Sequence, residues 1–212
     1  YYGKTAKLII DTMVRTGGII TADDLRSYKP IEREPIFFEY NDYRIYSMPP
    51  PSSGGVTLAN ILNQLEYLDL DSIGYKSVDY IHFLSEIEKR AYADRAKYLG
   101  DTDFIDVPVN KLISDEYAYE QFITIDPDTA LDSYQLNKDL FNIINESEET
   151  THFSVVDKYG NAVSLTYTIN GWFGNGISVN NAGFLLNNEM DDFSIKPGYP
   201  NAYGLIGSES NS

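Results

Sequence analysis

The residue with the clearest capacity for nucleophilic chemistry is Thr150, which begins a β-type pattern directly after an acidic segment. From this position Thr150, His152, Ser154 and Val156 alternate with a second set of side chains, as on the two faces of a strand. A threonine at the start of a strand is ordinarily a β-branched strand residue. The alternative is a nucleophile that becomes exposed when the chain is cut before it. The residue alone leaves both interpretations open.

A cut between Glu149 and Thr150 would give Thr150 a free α-amino group with a pKa of about 8. This amine is a general base beside the threonine's own hydroxyl, which is otherwise too weak a nucleophile to attack an amide. The cut could be autocatalytic. The Thr150 hydroxyl would attack the Glu149 carbonyl, the acyl group would shift from nitrogen to oxygen, and water would hydrolyse the ester.

A second strand pattern, at 161–170, supplies polar groups next to the strand that begins with Thr150. Ser164, Thr166, Thr168 and Asn170 share one face of it, opposite an apolar set. A threonine-rich β-ladder explains this row without any catalytic role. The same row could instead support a nucleophile on the neighbouring strand.

Composition limits the function classes that remain. The 212 residues carry a formal net charge of −16, which argues against binding to nucleic acid or to anionic membranes. There is no cysteine, so thiol catalysis, disulfides and zinc-thiolate sites are excluded, and the two histidines make a histidine-rich metal site improbable. No run of about 18 apolar residues predicts a membrane span, and no signal-peptide pattern is present. The hydrophobic content of 42% is enough for a core.

The remaining patterns organise the chain around this candidate. Apolar spacing and capping residues predict four main helices, one short capped helix and two hairpins. The helices are 4–16, 56–66, 77–99 and 110–122, the short helix begins near Thr21, and the hairpin strands are 34–40 with 43–48 and 150–157 with 161–170. Segment 126–149 holds seven acids against one lysine and is predicted to be an exposed linker. Residues 171–183 are predicted to form a loop.

The longest predicted helix, 77–99, has an apolar stripe and two i,i+4 ion pairs, Glu86/Arg90 and Arg90/Asp94. Arg90, Asp94 and Arg95 could form a functional charge cluster. A salt-bridged helix face is the simpler interpretation.

Several motifs, in this order and spacing, resemble the γ-glutamyltranspeptidases (glutathione hydrolases), which are N-terminal-nucleophile hydrolases. The resemblance covers essentially the whole chain. It rests on PPPSSGG at 49–55, AYADR at 91–95 with YLGD at 98–101, TTHFSVVD at 150–157 and LLNNEMDDF at 185–193. The last two motifs are the specific ones.

The resemblance implies an α+β fold, the αββα sandwich of these hydrolases, which is incomplete in this chain. It implies a fragment that spans the junction of two subunits: 1–149 would be the C-terminal half of the large subunit, with the linker 126–149, and 150–212 the beginning of the small, catalytic subunit. The two subunits of one precursor would pair as a heterodimer. The location implied is extracellular, periplasmic or at the cell surface.

The activity implied is γ-glutamyl transfer or hydrolysis on glutathione and other γ-glutamyl amides, with amino acids, peptides or water as acceptors and no cofactor. Thr150 matches the nucleophile released by cleavage after Glu149. Thr168 matches the residue that hydrogen-bonds to the nucleophile and tunes it.

The resemblance also implies the substrate-binding residues. Asn170 matches a contact to the α-carboxylate side of the γ-glutamyl group. Glu189 and Asp192 match the pair that holds its α-ammonium, where many relatives have Gln in place of Glu189. Tyr203 matches the gating residue of a lid at about 196–207.

Three alternatives remain open at this stage. A poly-γ-glutamate hydrolase or a β-lactam side-chain acylase would use the same nucleophile on the same fold. A catalytically inactive fragment could have a structural or binding role. Because family parts that grip the α-carboxylate and form the oxyanion hole fall outside this sequence, we expect the chain by itself to be nearly inactive.

Overall fold

The structure is a computed structural model that describes residues 1–136, 151–193, 195–197 and 199–201. The chain divides into two compact units. The first combines Tyr1–Glu32 with Asn145–Phe193, and the second combines Arg33–Ile144 with Ser194–Ser212. Each unit therefore draws on both sides of the predicted subunit boundary between 149 and 150, which stays a prediction.

Groups of helices and pairs of short antiparallel strands follow one another along the chain. The helices are α1 (Gly3–Thr16), α2 (Ala22–Ser27), α3 (Gly54–Leu65), α4 (Leu70–Ile73), α5 (Val78–Tyr98), α6 (Val109–Leu112), α7 (Asp115–Phe122), α8 (Ser133–Leu136) and a 3₁₀ helix (Glu189–Asp192). The strands are β1 (Ile36–Tyr40), β2 (Tyr43–Ser47), β3 (Thr151–Val156), β4 (Ala162–Tyr167), β5 (Ser178–Val179) and β6 (Phe184–Leu185). They pair in sequence order as three two-stranded sheets within the described ranges.

Most predicted elements are confirmed, and some differ from the prediction. The short helices α4 and α8 were not predicted. The helix predicted over 110–122 is two helices, because Ser114 caps a new helix by accepting a hydrogen bond from the Tyr117 amide. The loop predicted over 171–183 contains β5, which pairs with β6. A two-residue strand gives too little alternation to be recognised from sequence.

The first unit begins with α1 and α2. Gly17, at φ 75°, ends α1 in the left-handed conformation that glycine favours. Thr21 and Asp24 then form a reciprocal capping box at the start of α2. Arg15 near the end of α1 donates to the Ser178 carbonyl at 3.4 Å, which connects this helix to β5.

The core of the second unit lies between α3 and the first hairpin, with α6 and α7 against it. Its buried members are Ile36, Phe38, Val56, Ala59, Leu99, Val107, Leu112 and Tyr117. Gly55 permits the close approach of α3 to β1, because a Cβ there would collide with the Met48 carbonyl and lie 3.1 Å from the Ile36 side chain. The motif at 49–55 therefore has a packing function at its last glycine.

The polar residues of α5 are buried more deeply than the sequence pattern indicates. Arg90, 2% exposed, pairs with Glu86 at 2.8 Å, as predicted. Asp94, however, accepts hydrogen bonds from the Tyr117 hydroxyl and the Asn60 amide. Burial raises the pKa of the Asp94 carboxyl. These contacts favour a structural role for this helix face.

The described part of the predicted linker is attached to α5. The Leu131 amide donates to Glu86 at 3.1 Å, and the Leu131 carbonyl accepts from Lys89 at 2.9 Å. His82 Nε2 lies 2.8 Å from the Asp126 carbonyl. Residues 126–130 are exposed, as the composition predicted, and the segment contacts α5 through Asp126 and Leu131. Its role as a linker stays a prediction.

Arg90→Ala should destabilise the protein more than any substitution of an exposed ion pair. The change removes the guanidinium that pairs with the buried Glu86 carboxylate at 2.8 Å, while Lys89 still pairs with that carboxylate at 2.6 Å. Because one partner of Glu86 remains, the loss should lie toward the lower end of the about 3–5 kcal/mol that breaking a buried pair typically costs. Urea unfolding of the full-length protein measures the loss. The control is Arg44→Ala, which removes the exposed pair with Glu39 and should cost less than about 1 kcal/mol. Equal losses from the two variants would contradict the prediction.

Candidate active site

The polar face of the β3–β4 hairpin is a continuous row of hydrogen-bonding side chains. His152 pairs with Thr166 and Ser154 with Ser164 in the antiparallel register. His152 Nδ1 lies 2.7 Å from the Thr166 hydroxyl, and its Nε2 lies 3.2 Å from the Ser164 hydroxyl. The hydroxyl-bearing face predicted from alternation is thus confirmed for the described pairs.

The opposite face of this hairpin is apolar and exposed within this chain. Its members are Phe153, Val155, Val163, Leu165 and Tyr167. A two-stranded hairpin is at best marginally stable by itself in water. The hairpin is therefore expected to gain stability from neighbours in the complete protein.

Thr168 and Asn170 lie just after β4, where the chain turns. The Thr168 Oγ1 accepts a hydrogen bond from the Asn170 amide at 2.9 Å. Asn170 has φ 70°, a left-handed conformation that asparagine tolerates better than most residues, and is only 6% exposed. This bond holds the Thr168 side chain against the Asn170 backbone.

Asn170 connects this turn to the 3₁₀ helix. Its side-chain Nδ2 donates to Asp192 Oδ1 at 3.1 Å and to the Asn188 carbonyl at 3.0 Å. These two bonds set the amide of a buried residue directly against a carboxylate of the candidate site. Two of the predicted binding residues thus touch each other.

The 3₁₀ helix brings three carboxylates into one short segment. Glu189 and Asp192 lie at its two ends, with Asp191 between them. Burial, and then the negative charge of Asp192, raise the pKa of the Glu189 carboxyl. Carboxylates that repel each other are stabilised by a cation bound between them. An ammonium group, which also donates hydrogen bonds, has the complementary chemistry.

The predicted site residues fall into two groups. Thr168, Asn170, Glu189 and Asp192 belong to the first compact unit, and Asn170 with Asp192 forms a direct contact. Glu149, Thr150 and Tyr203 lie outside the described residues. From the predicted lid region the structure describes 196–197 and 199–201, where the Lys196 ammonium lies 3.9 Å from the centre of the Tyr199 ring.

Sequence reasoning assigned no role to Asn188, although the structure places it at the centre of these contacts. The Asn188 Oδ1 accepts from the Gly171 amide at 2.8 Å, and its Nδ2 donates to Asp191 at 2.9 Å. The available signal was the Asn-Asn pair that precedes Glu189 in the LLNNEMDDF motif. Short polar side chains that bond to nearby backbone are typical of such turns.

Comparison with known proteins decides the family. The sequence matches the Gamma-glutamyltranspeptidase family over residues 1–212. The chain belongs to the γ-glutamyltranspeptidase family. The resemblance inferred from the motifs is therefore confirmed.

Curated γ-glutamyltranspeptidase relatives are considerably longer than this chain. A "Glutathione hydrolase proenzyme" of Escherichia coli (strain K12) is 49% identical over 212 residues, which are 100% of this chain and 36% of that protein. An "Acylase ACY 1 proenzyme" of Pseudomonas sp. (strain SE83) is 41% identical over 198 residues, or 93% of this chain and 35% of that protein. The chain thus spans little more than one third of these relatives.

Solved structures agree with the γ-glutamyltranspeptidase assignment. Helicobacter pylori gamma-glutamyltranspeptidase matches with a TM-score of 0.62 and 45% identity, over 70% of this chain and 42% of that one. Cephalosporin acylase from Bacillus halodurans matches with a TM-score of 0.72 and 25% identity, over 98% of this chain and 37% of that one. The predicted α+β hydrolase fold, incomplete in this chain, is confirmed. Among the described residues, no helix has the length and apolarity that crossing a membrane requires.

Proposed function

We propose that the complete protein transfers γ-glutamyl groups from glutathione and other γ-glutamyl amides to water, amino acids or peptides. Membership of the γ-glutamyltranspeptidase family supports the reaction class. The observation that carries the proposal within the structure is the contact of Asn170 with Asp192, which joins the turn after β4 to an acidic segment suited to an α-ammonium.

In this proposal Thr150 is the nucleophile, and Thr168 tunes it. Thr168 directly follows Tyr167, which belongs to the last described pair of the hairpin, Thr151 with Tyr167. Its hydroxyl accepts from the Asn170 amide at 2.9 Å, and a hydroxyl that donates to a neighbouring oxygen would adjust the reactivity of that oxygen. The place of Thr168 at the end of this hairpin supports the proposed tuning role.

Precursor cleavage after Glu149 would come first, by the shift from nitrogen to oxygen described above. The Thr150 hydroxyl then attacks the γ-carbonyl of the substrate while the new α-amine accepts its proton. Collapse of the tetrahedral intermediate releases the amine product, which takes that proton, and leaves a γ-glutamyl ester on Thr150. Water or an acceptor amine attacks the ester, and the hydroxyl of Thr150 is restored. These steps use protein groups and substrates alone.

Glu189 and Asp192 bind the α-ammonium in the proposed complex. The described contacts support a role for Asn170 in holding Asp192, because its amide nitrogen donates to that carboxylate. The contact of Asn170 with the α-carboxylate side of the substrate stays a prediction, as does the gating role of Tyr203. The large and small subunits of the precursor would pair as a heterodimer in an extracellular, periplasmic or cell-surface location.

A second candidate activity is hydrolysis of a β-lactam side chain by the same nucleophile. The 41% identity to the Pseudomonas acylase supports this hydrolysis as a candidate activity. The acidic segment at 189–192 argues for an acyl group with a positive charge, since a neutral or anionic side chain would leave these carboxylates without a counter-charge. γ-Glutamyl substrates are therefore the better match.

The decisive experiment uses the full-length protein. Intact mass after incubation is expected to show two fragments that meet between Glu149 and Thr150. The same sample should release aniline from a γ-glutamyl anilide faster than it deacylates a cephalosporin. A protein that never cleaves at this bond, or that acts on the cephalosporin alone, would overturn the proposal.

The raised pKa of Glu189 predicts a pH-dependent KM. Binding an ammonium needs the ionised carboxylate, and burial with the nearby Asp192 keeps the Glu189 pKa above its ordinary value. As the pH falls through that raised pKa, Glu189 is protonated and KM for a γ-glutamyl anilide should rise. Glu189→Gln cannot titrate, so its KM should stay level over the same acid-side range. Superimposable KM profiles for the two proteins would contradict this assignment.

A further inference from the structure

Asn188 has hydrogen-bonding partners on two segments of the candidate site. Its backbone amide donates to the Ile169 carbonyl at 3.2 Å, and its carbonyl accepts from Asn170 Nδ2 at 3.0 Å. Its side-chain Oδ1 accepts from the Gly171 amide at 2.8 Å, and its Nδ2 donates to Asp191 at 2.9 Å. One residue therefore attaches the chain at 169–171 to the acidic 3₁₀ helix.

The approach of these two segments is close enough to restrict the residue at 171. A Cβ on Gly171 would lie 3.3 Å from Asn188 Oδ1 and 3.6 Å from its Nδ2. The first distance is tighter than an ordinary side-chain contact. Any larger residue at 171 would therefore push against the Asn188 amide.

The hydrogen-bonding partners of the side chain at position 188 require an amide there. The Oδ1 side faces a backbone N–H and must accept, whereas the Nδ2 side faces the Asp191 carboxylate and must donate. An aspartate would keep the first bond and set a second carboxylate against Asp191. An alanine would leave the Gly171 amide without this acceptor.

We propose that Asn188 is a positioning residue that sets the spacing between Asn170 and Asp192. It thereby selects acyl groups with an α-ammonium. The inference rests on the γ-glutamyl activity proposed above and adds a residue to it. Asn188 acts through its neighbours: it holds the 3₁₀ helix so that Asp192 meets the Asn170 amide at 3.1 Å. Loss of this geometry should weaken recognition of the ammonium more than it slows the acyl transfer.

The test exchanges the Asn188 amide and the Asp191 carboxylate in the full-length, self-cleaved protein. In Asn188→Asp two carboxylates face each other, and KM for a γ-glutamyl anilide should rise about 10- to 100-fold. In the double variant Asn188→Asp with Asp191→Asn, the amide at 191 donates to the carboxylate at 188, and KM should return to within about threefold of wild type. Asp191→Asn alone shows what loss of the Asp191 charge contributes, because Asn188 Nδ2 can still donate to the new amide oxygen. The rise in KM of Asn188→Asp should exceed any change in this variant.

A second substrate distinguishes weaker recognition of the ammonium from a general loss of catalysis. Glutaryl anilide has the same acyl chain without the α-amino group, so its kcat/KM should be the same in Asn188→Asp and wild type. Similar losses for both substrates, or a double variant as impaired as Asn188→Asp, would overturn the inference. An unchanged KM in Asn188→Asp would overturn it as well.

Failure of the inference is distinguishable from failure of the proposed activity. A wild-type protein that neither cleaves itself nor releases aniline refutes the activity before any variant is made. If Asn188→Asp gives no folded protein, Gly171→Ala tests the same contact from the other segment, since the added methyl crowds Asn188 Oδ1. Its KM for the γ-glutamyl anilide should rise several-fold, and an unchanged KM would overturn the inference.

Discussion

Thr150→Ala in the full-length precursor is expected to abolish both self-cleavage and γ-glutamyl turnover. The substitution removes the hydroxyl proposed to attack the Glu149 carbonyl, so no N-terminal amine should be released and no acyl-enzyme should form. Loss of a nucleophile typically lowers kcat by about 10⁴- to 10⁶-fold. Intact-mass measurement detects the loss of self-cleavage, and anilide hydrolysis detects the loss of γ-glutamyl turnover.

Two variants serve as controls for this result. Thr150→Ser keeps a hydroxyl and should retain part of both reactions. Thr151→Val replaces the next hydroxyl with an isosteric methyl on the strand face that also holds Phe153, and should still be processed. Efficient cleavage or turnover by Thr150→Ala would eliminate the N-terminal-nucleophile mechanism for this protein.

Asp192→Asn should raise KM for γ-glutamyl anilides by about 10- to 150-fold, because a hydrogen bond to a charged group contributes about 1.5–3 kcal/mol. The variant removes the carboxylate charge proposed to face the α-ammonium, while an amide at this position can still pair with Asn170. Self-cleavage of the precursor involves no substrate ammonium and should proceed. Steady-state kinetics on the processed enzyme measure the effect.

The substrate itself provides the control for Asp192→Asn. Glutaryl anilide lacks the α-amino group, so wild type and the variant should hydrolyse it with similar kcat/KM. A large loss on both substrates would show that Asp192 has a structural role. An unchanged KM on the γ-glutamyl substrate would remove Asp192 from the ammonium site.

Local sequence patterns predicted much of the secondary structure because the deciding interactions are local. The capping box of Thr21 and Asp24 lies within one helical turn, and the left-handed end of α1 needs only Gly17. The alternation of β3 and β4 predicted which side chains share a face, and the register pairs His152 with Thr166. Such features depend on residues a few positions apart or on a single hairpin.

Burial was predicted less well, because it depends on what packs against an element. The stripe on α5 included Val78 and Ile81, which are 83% and 56% exposed, whereas the polar Glu86 and Arg90 are buried. Asp94 was predicted to pair with Arg90 along the helix. Its partners are instead Tyr117 and Asn60, 23 and 34 residues away in sequence. Periodicity identifies an apolar face and gives no information about distant partners.

The sequence by itself determined the family, since the motifs at 150–157 and 185–193 carry the resemblance that the match over residues 1–212 confirms. The threonine nucleophile and the cation site that this resemblance implies are part of the proposal. Only the tertiary structure decided how the acidic segment at 185–193 is attached to the turn after β4. Asn170 meets Asp192 across 22 residues, and Asn188 reaches Gly171 across 17. These bonds form because a left-handed turn at Asn170 and a glycine at 171 let two backbone segments approach closely.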